Sequence, residues 1–160
     1  PNTLVTHDVC PVSDSAVQTL LERRPELLVD GVRPNHEQLR ARLASMWLAD
    51  ETVLYVGLAG TSIAQRVRQY YRTPLGARKT HAGGWPLKTL NLLDGVWVHY
   101  AACSAVNEAE RAMATAFMEG VSPTTRAQLR DPAHPLPFAN LTVPKGPRKK
   151  HGITGATEAR

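Results

Sequence analysis

The sequence is poor in cysteine and contains no long apolar stretch. Its two cysteines, Cys10 and Cys103, lie far apart and form no Cys-x-x-Cys pair, so neither a disulfide framework nor a zinc cluster is indicated. Apolar residues never run uninterrupted for the roughly 18 positions of a membrane-spanning helix. The start, PNTLVTHDVCP, lacks the basic and then apolar order of a secretory signal. We therefore expect a cytoplasmic protein that does not span a membrane.

Acidic residues are also fewer than basic ones. The chain has 14 Asp and Glu residues against 19 Lys and Arg residues, which gives a net charge of +5 at pH 7. A basic balance favours polyanionic partners such as nucleic acid, although basic proteins without that role are common. The length of 160 residues and the hydrophobic content of 42% predict one compact domain with an ordinary core.

Apolar spacing divides the chain into helices and short strands. Helical spacing behind Ser, Thr, Asp or Asn caps predicts the main helices, which cover 13–24, 35–48, 63–71 and 107–120. Shorter helices are predicted over 86–93 and after Ser122. Strands are predicted over 53–58 and 95–102, and an extended run over 26–32 contains the turn pair Asp30-Gly31. These elements predict an α/β or α+β fold with a small central β-sheet flanked by helices.

The stretch VLYVGLAGTSIAQRVRQYY passes from a strand through a small-residue turn into a helix. Alternation along the strand places Tyr55 and Gly57 on one face, which leaves the space beside Tyr55 open. A glycine within a strand is often tolerated where a ligand or another backbone comes close. On the helix, Arg66 and Tyr70 are four residues apart and are therefore neighbours. Taken singly, Tyr55 also fits an ordinary strand aromatic, and Arg66 fits a cation that covers apolar surface.

A glutamate interrupts the apolar face of the last long helix. At about 100° per residue, Glu110 lies among apolar residues, whereas Glu108 lies on the opposite side. The apolar neighbours are Met113, Ala114 and Phe117. An ionised carboxylate without water is costly unless a cation or donors compensate it. The partner is either an arginine in a buried ion pair or a divalent metal ion held by one carboxylate and waters, as Mg²⁺ usually is.

These residues together resemble the GIY-YIG nuclease superfamily. The second motif of that family, Tyr-Ile/Val-Gly, matches Tyr55 and Gly57 in LYVG. Its next helix carries an Arg followed four residues later by Tyr or His, and this pattern matches Arg66 and Tyr70 in QRVRQYY.

Later motifs of the family extend the resemblance to residue 140. The metal-binding glutamate of the family, with the spacing Glu-x-x-apolar, matches Glu110 and Met113. A late asparagine matches Asn140 in PFANL, and His81, ahead of LKTL, resembles a loop histidine of some homing and restriction members.

The first motif of the family is absent. The stretch SMWLADET ahead of the LYVG motif contains no Gly-Ile-Tyr, and ELLVDGV is a candidate for a displaced first strand, with 35–48 as an inserted helix. The resemblance divides the single compact domain into a helical extension over 1–50, a GIY-YIG-like catalytic core over 51–142 and a basic tail over 143–160.

The resemblance implies a DNA endonuclease of the restriction or defence type that hydrolyses phosphodiester bonds with Mg²⁺ or Mn²⁺. Glu110 would hold the metal ion, Arg66 would counter charge on the phosphorus, and Tyr55 would activate the attacking water, directly or through a second water. The implied catalytic residues are Tyr55, Arg66, Tyr70, His81, Glu110 and Asn140. Double-stranded DNA is the expected substrate, cut on both strands by a homodimer. Alternatives are a nucleic-acid-binding domain of the same fold that has lost cleavage, and an unrelated protein-interaction domain.

Basic residues of the helix that carries Arg66 and Tyr70, of the loop that follows it and of the tail are candidates for phosphate contacts, which position a duplex without reading its sequence. They are Arg68, Lys79, Lys88, Lys145, Arg148, Lys149 and Lys150. The alternative for the last ten residues is a solvated tail.

Overall fold

A computed structural model of the chain describes residues 6–78 and 84–157. In these residues five α-helices and one small sheet form a mixed α+β fold. The helices are α1 (Asp14–Arg23), α2 (His36–Ala44), α3 (Ile63–Arg72), α4 (Val106–Gly120) and α5 (Pro123–Gln128). Short 3₁₀ turns cover Trp85–Thr89 and Leu93–Gly95. The strands β1 (Leu28–Val29) and β2 (Ile153–Thr154) pair antiparallel, with Leu28 opposite Thr154.

Side-chain caps start four of the helices where the sequence predicts them. Ser13, Ser62 and Ser122 each accept a hydrogen bond from a backbone N–H in the first turn of α1, α3 and α5, respectively. Asn35 forms a reciprocal capping box with Gln38 at the start of α2. The four predicted main helices and the short helix after Ser122 are confirmed, although α2 ends at residue 44 rather than 48. The short helix predicted over 86–93 is wrong, because two separate 3₁₀ turns, Trp85–Thr89 and Leu93–Gly95, occupy this stretch.

The turn after β1 is also confirmed. Asp30 and Gly31 both have positive φ angles, 50° and 83°, the conformation that a two-residue Asp-Gly hairpin turn requires. Val29 and Val32 exchange backbone hydrogen bonds of 2.8 and 3.1 Å across it.

The predicted central sheet is wrong. Within the described ranges the only sheet is β1–β2, and neither 53–58 nor 95–102 forms a strand. The backbone of Val56 bonds a side chain instead, because Asn140 donates to its carbonyl at 2.7 Å and accepts from its N–H at 2.8 Å. The N–H of Ala139 donates to the carbonyl of Leu54 at 2.9 Å. An asparagine side chain and one backbone bond thus take the place of a neighbouring strand.

The main core forms where α1 and α2 pack together with the segment around Phe138. Leu20 of α1, Leu43 of α2 and Phe138 are almost completely buried in it. Trp47 meets Phe138 edge-on, with 5.5 Å between the ring centroids. Leu54, next to Tyr55, is partly buried against the same cluster. The core therefore supports one side of the LYVG segment.

Lys149 lies inside the fold and not on its surface. Only 6% of the surface of Lys149 is exposed, and its ammonium donates to the carbonyls of Pro137 and Phe138 at 2.9 and 3.0 Å. Burial lowers the pKa of Lys149 to about 7, and the charge of Asp131 acts in the opposite direction. This position removes Lys149 from the predicted phosphate contacts, because its charge is used to hold the segment that leads to Asn140.

We predict that Lys149→Met removes a pH dependence of stability. Between pH 7 and the ordinary lysine value of 10.5, the unfolded chain holds a proton that the native Lys149 has released, so wild-type stability rises with pH relative to the variant. The slope of this difference approaches about 1.4 kcal/mol per pH unit. Urea unfolding at pH 6, 8 and 9.5 measures it. Lys150→Met, at an exposed neighbouring position, should keep the wild-type profile. Parallel profiles of wild type and Lys149→Met would contradict the buried ammonium.

Candidate active site

Tyr55 lies in a slot between two glycines. A Cβ atom on Gly57 would lie 2.6 Å from Cε1 of Tyr55 and 2.7 Å from its hydroxyl, closer than real Cβ contacts. A Cβ atom on Gly84 would lie 3.2 Å from Cε2 on the other edge of the ring. The ring therefore occupies space that two absent side chains leave. The open space predicted beside Tyr55 is present, and the phenol itself fills it.

Tyr70 holds the second glycine of this slot. Its hydroxyl donates to the carbonyl of Gly84 at 2.9 Å, and Gly84 has a left-handed φ of 75°. Burial is the main cause that raises the pKa of Tyr70, followed by the neighbouring Tyr55 and Tyr71. The hydroxyl is therefore a stable donor at neutral pH, and it fixes one wall of the Tyr55 slot.

Lys88 stabilises the C-terminal end of α3, next to the residue that bonds Gly84. Its ammonium donates to the carbonyls of Tyr70 and Thr73 and lies 4.3 Å from the centre of the Tyr70 ring. A cation at a helix C-terminus is favourable because the last carbonyls are otherwise unpaired. Burial lowers the pKa of Lys88. The structure thus commits Lys88 to α3, whereas the sequence predicts it as a phosphate contact.

Arg66 and Glu110 both act on the phenol of Tyr55. Burial is the largest cause that raises the pKa of Tyr55. Arg66 lowers this pKa by its charge and by a hydrogen bond, and the carboxylate of Glu110 raises it. Because burial and Glu110 together outweigh the effect of Arg66 on this pKa, Tyr55 is protonated at neutral pH and can donate a hydrogen bond. It still keeps 38% of its surface exposed, so solvent or a ligand can reach it.

Glu110 is buried as the helix pattern predicts. Only 8% of the residue is exposed, and Ala114, one turn later on α4, is also buried. Burial raises the pKa of Glu110, and the charge of Arg66 opposes this rise. Met113 is wrongly placed by the helix projection, since 58% of it is exposed. The buried stripe of α4 is therefore narrower than its apolar face.

The structure thus brings together four of the predicted catalytic residues: Tyr55, Arg66, Tyr70 and Glu110. Asn140 is 3% exposed, and both the oxygen and the nitrogen of its side-chain amide bond the backbone of Val56, so it positions the backbone beside Tyr55. His81 and Lys79 lie outside the described residues.

One carboxylate is the anionic donor that this site offers to a cation. In residues 6–78 and 84–157, no three His, Cys, Asp or Glu side chains cluster as a metal cage. Mg²⁺ commonly binds through one or two carboxylates and retains several waters. The buried and incompletely compensated charge of Glu110 fits that mode of binding, and it does not fit a zinc-type cage.

The roles of two residues are not predicted from the sequence. Gly84 has no predicted role, although the glycines of the Gly-Gly-Trp-Pro sequence are a signal for close backbone approach. The supporting role of Lys149 has no such signal, because the lysine lies within a basic run whose neighbours Arg148 and Lys150 are exposed.

Comparisons with protein-family models, with curated proteins and with solved structures gave no match for this chain. The site is therefore interpreted from its own geometry and chemistry. Among the described residues, no helix has the length and apolar content needed to cross a membrane.

We predict that Glu110→Gln stabilises the fold at neutral and alkaline pH. Because the pKa of Glu110 is raised above its ordinary 4.5, the native state loses stability as pH rises from about that value through the folded pKa. The amide removes this cost, so the variant should melt at a higher temperature than wild type at pH 8, and the difference should vanish towards pH 4. Thermal melting by circular dichroism measures it.

Glu108→Gln is the matched control, since Glu108 lies on the same helix and is exposed. It should melt like wild type at both pH values. A lower melting temperature of Glu110→Gln at pH 8 would show that a cation already compensates the carboxylate in the free protein.

Proposed function

We propose that this protein is a divalent-metal-dependent endonuclease that cleaves double-stranded DNA, of the GIY-YIG type and in a restriction or defence setting. One observation carries the proposal: the phenol of Tyr55, the guanidinium of Arg66 and the buried carboxylate of Glu110 act on one another from three separate segments. Their types and order agree with the resemblance to the nuclease superfamily. A phenol, a cation and a lone buried carboxylate suit the transfer of a phosphoryl group to water.

The proposed reaction is hydrolysis of one phosphodiester bond. The oxygen of a water bonds to phosphorus, the bond from phosphorus to the 3′ oxygen breaks, and a water proton is transferred to that oxygen. The protonated Tyr55 donates a hydrogen bond that orients the water, and Arg66 compensates the negative charge that grows on the phosphoryl oxygens. Glu110 would hold Mg²⁺ or Mn²⁺, which when bound supplies positive charge beside the leaving oxygen. Tyr70 and Asn140 position Tyr55 through Gly84 and Val56.

Exposed cations provide the attraction for DNA that the proposal needs. The exposed members of the predicted phosphate-contact set are Arg68, Lys145, Arg148 and Lys150. Such contacts give affinity without sequence selection.

A second candidate is a DNA-binding domain of this type that no longer cleaves. The absence of the first-motif tyrosine and the raised pKa of Tyr55 favour it, because a protonated phenol alone is a weak activator of water. The two candidates predict the same binding and differ in cleavage.

We predict that supercoiled plasmid is nicked or linearised by the wild-type protein with Mg²⁺. Glu110→Gln should still bind the plasmid but lower the cleavage rate at least a hundredfold, because it removes the anionic donor for the metal ion. Glu108→Gln should cleave like wild type. The measurement is an agarose-gel time course with and without EDTA, beside a binding titration. Binding without cleavage by the wild type would favour the second candidate, and an equal rate for Glu110→Gln would refute the assigned role of this carboxylate.

We further predict that Gly57→Ala impairs cleavage with little effect on stability. The new methyl group would overlap the far end of the Tyr55 side chain, which can turn towards solvent. The phenol then leaves Arg66, and the cleavage rate should fall at least tenfold while the melting temperature stays within a few degrees. Gly60→Ala is the control, since a Cβ atom there meets nothing within 4 Å. Equal cleavage rates of the two variants would contradict the role of the slot.

A further inference from the structure

A basic groove lies between α2 and the residues at the end of α5. The groove has a volume of about 690 Å³. Arg33, Arg42 and Arg130 line it, and Val29 and Leu129 form part of its walls. No acidic side chain is among the lining residues, all of which belong to the described part of the chain.

The three arginines are held in place by different partners. Arg33 donates to the carbonyls of Leu21 and Arg24 at the end of α1, at 2.7 and 2.6 Å. Arg42 and Arg130 both bond the carboxylate of Asp30, at 2.6 and 3.0 Å. Two of the three guanidinium groups therefore share one carboxylate, the third bonds only backbone carbonyls, and the groove keeps a net positive charge. Because the arginines are fixed before a ligand arrives, less side-chain entropy is lost on binding.

A hairpin extends this charge towards the candidate active site. A smaller depression shares Ser45, Leu129 and Arg130 with the groove. Its lining also includes Lys150 and one acidic residue, Asp131, which accepts a hydrogen bond from the backbone N–H of Lys150. Lys150 lies on the segment 140–151, whose two arms pair through a bridge between Thr142 and Arg148. The exposed cations of this hairpin are Lys145, Arg148 and Lys150.

The near end of the hairpin is fixed beside Tyr55. Its first residue, Asn140, holds the backbone of Val56. His151, at the far end, contributes no charge at neutral pH, because burial and the nearby Lys149, Arg148 and Arg42 lower its pKa to about 4. Arginine and lysine side chains therefore supply the whole positive charge of this region.

We propose that the groove and the hairpin together form a contact surface for the phosphate backbone of double-stranded DNA, away from the reacting phosphate. The choice of DNA as partner rests on the proposed function. Cations that are spread over two elements and fixed by separate partners suit a polyanion, since each can meet a different phosphate. A small anion would instead need several donors that converge on one point.

The test is the salt dependence of binding by the full chain to a fluorescent 30-base-pair duplex in EDTA, where cleavage cannot occur. Arg130→Gln/Lys150→Gln removes two exposed charges from the surface. It should weaken binding roughly tenfold at 100 mM salt and lower the slope of log affinity against log salt by about 1.8, or about 0.9 for each phosphate contact. Melting temperatures confirm that the variant is folded.

Arg23→Gln/Arg40→Gln is the matched control, because it removes the same charge from exposed positions on α1 and α2 that do not line the groove. It should keep the wild-type slope. The proposed surface would be refuted if the two double variants had equal slopes, whether both changed or both unchanged. It would also be refuted if the wild type did not bind the duplex at 50 mM salt. If Arg130→Gln/Lys150→Gln lowers the slope but the wild type does not cleave plasmid, the DNA-contact surface is supported and the endonuclease is refuted. If the wild type cleaves plasmid but the slope of this variant is unchanged, the endonuclease is supported and the surface is refuted.

Discussion

The geometry of the candidate site depends on one amide. Asn140 donates to the carbonyl of Val56 and accepts from its N–H, at 2.7 and 2.8 Å, and these two bonds satisfy the buried polar atoms of its side chain. Tyr55 and Gly57 are the chain neighbours of Val56, so these two hydrogen bonds fix the backbone from which the phenol of Tyr55 extends. The ammonium of Lys149 supports the same segment through the carbonyls of Pro137 and Phe138. Hydrogen bonds from the buried side chains of Asn140 and Lys149 thus hold backbone that a neighbouring strand would otherwise hold.

Buried charge is tolerated here in two different ways. The ammonium of Lys149 has carbonyl acceptors, and its pKa falls to about 7, so part of the cost is removed by loss of the proton. Glu110 has the opposite shift, and Arg66 offsets only part of it. The first arrangement serves the fold, because its partners are backbone groups. The second leaves a carboxylate that Arg66 compensates only in part, beside a phenol, and such a residual cost is typical of residues that meet a ligand.

Local patterns account for the part of the fold that sequence analysis predicts. Caps such as Asn35 and the Asp30-Gly31 turn act within a few residues, and the structure contains both. The strand predicted over 53–58 is wrong, because the backbone of Val56 bonds a side chain 84 positions away that offers two hydrogen bonds and no neighbouring strand. Burial of Glu110 was predictable from helical period, whereas the exposure of Met113 depends on which neighbours α4 meets. Likewise, the sequence of three consecutive basic residues does not show which of them is buried, because burial of Lys149 depends on its tertiary contacts.

The contacts of α3 with the Gly84–Lys88 turn have a consequence for how this protein can change. The hydroxyl of Tyr70 donates to the carbonyl of Gly84, and the ammonium of Lys88 donates to carbonyls at the end of α3. Gly84 also lies against the ring of Tyr55. A substitution at Tyr70 or Lys88 therefore disturbs the end of α3 and the wall of the slot at the same time, so these positions cannot vary independently of the phenol.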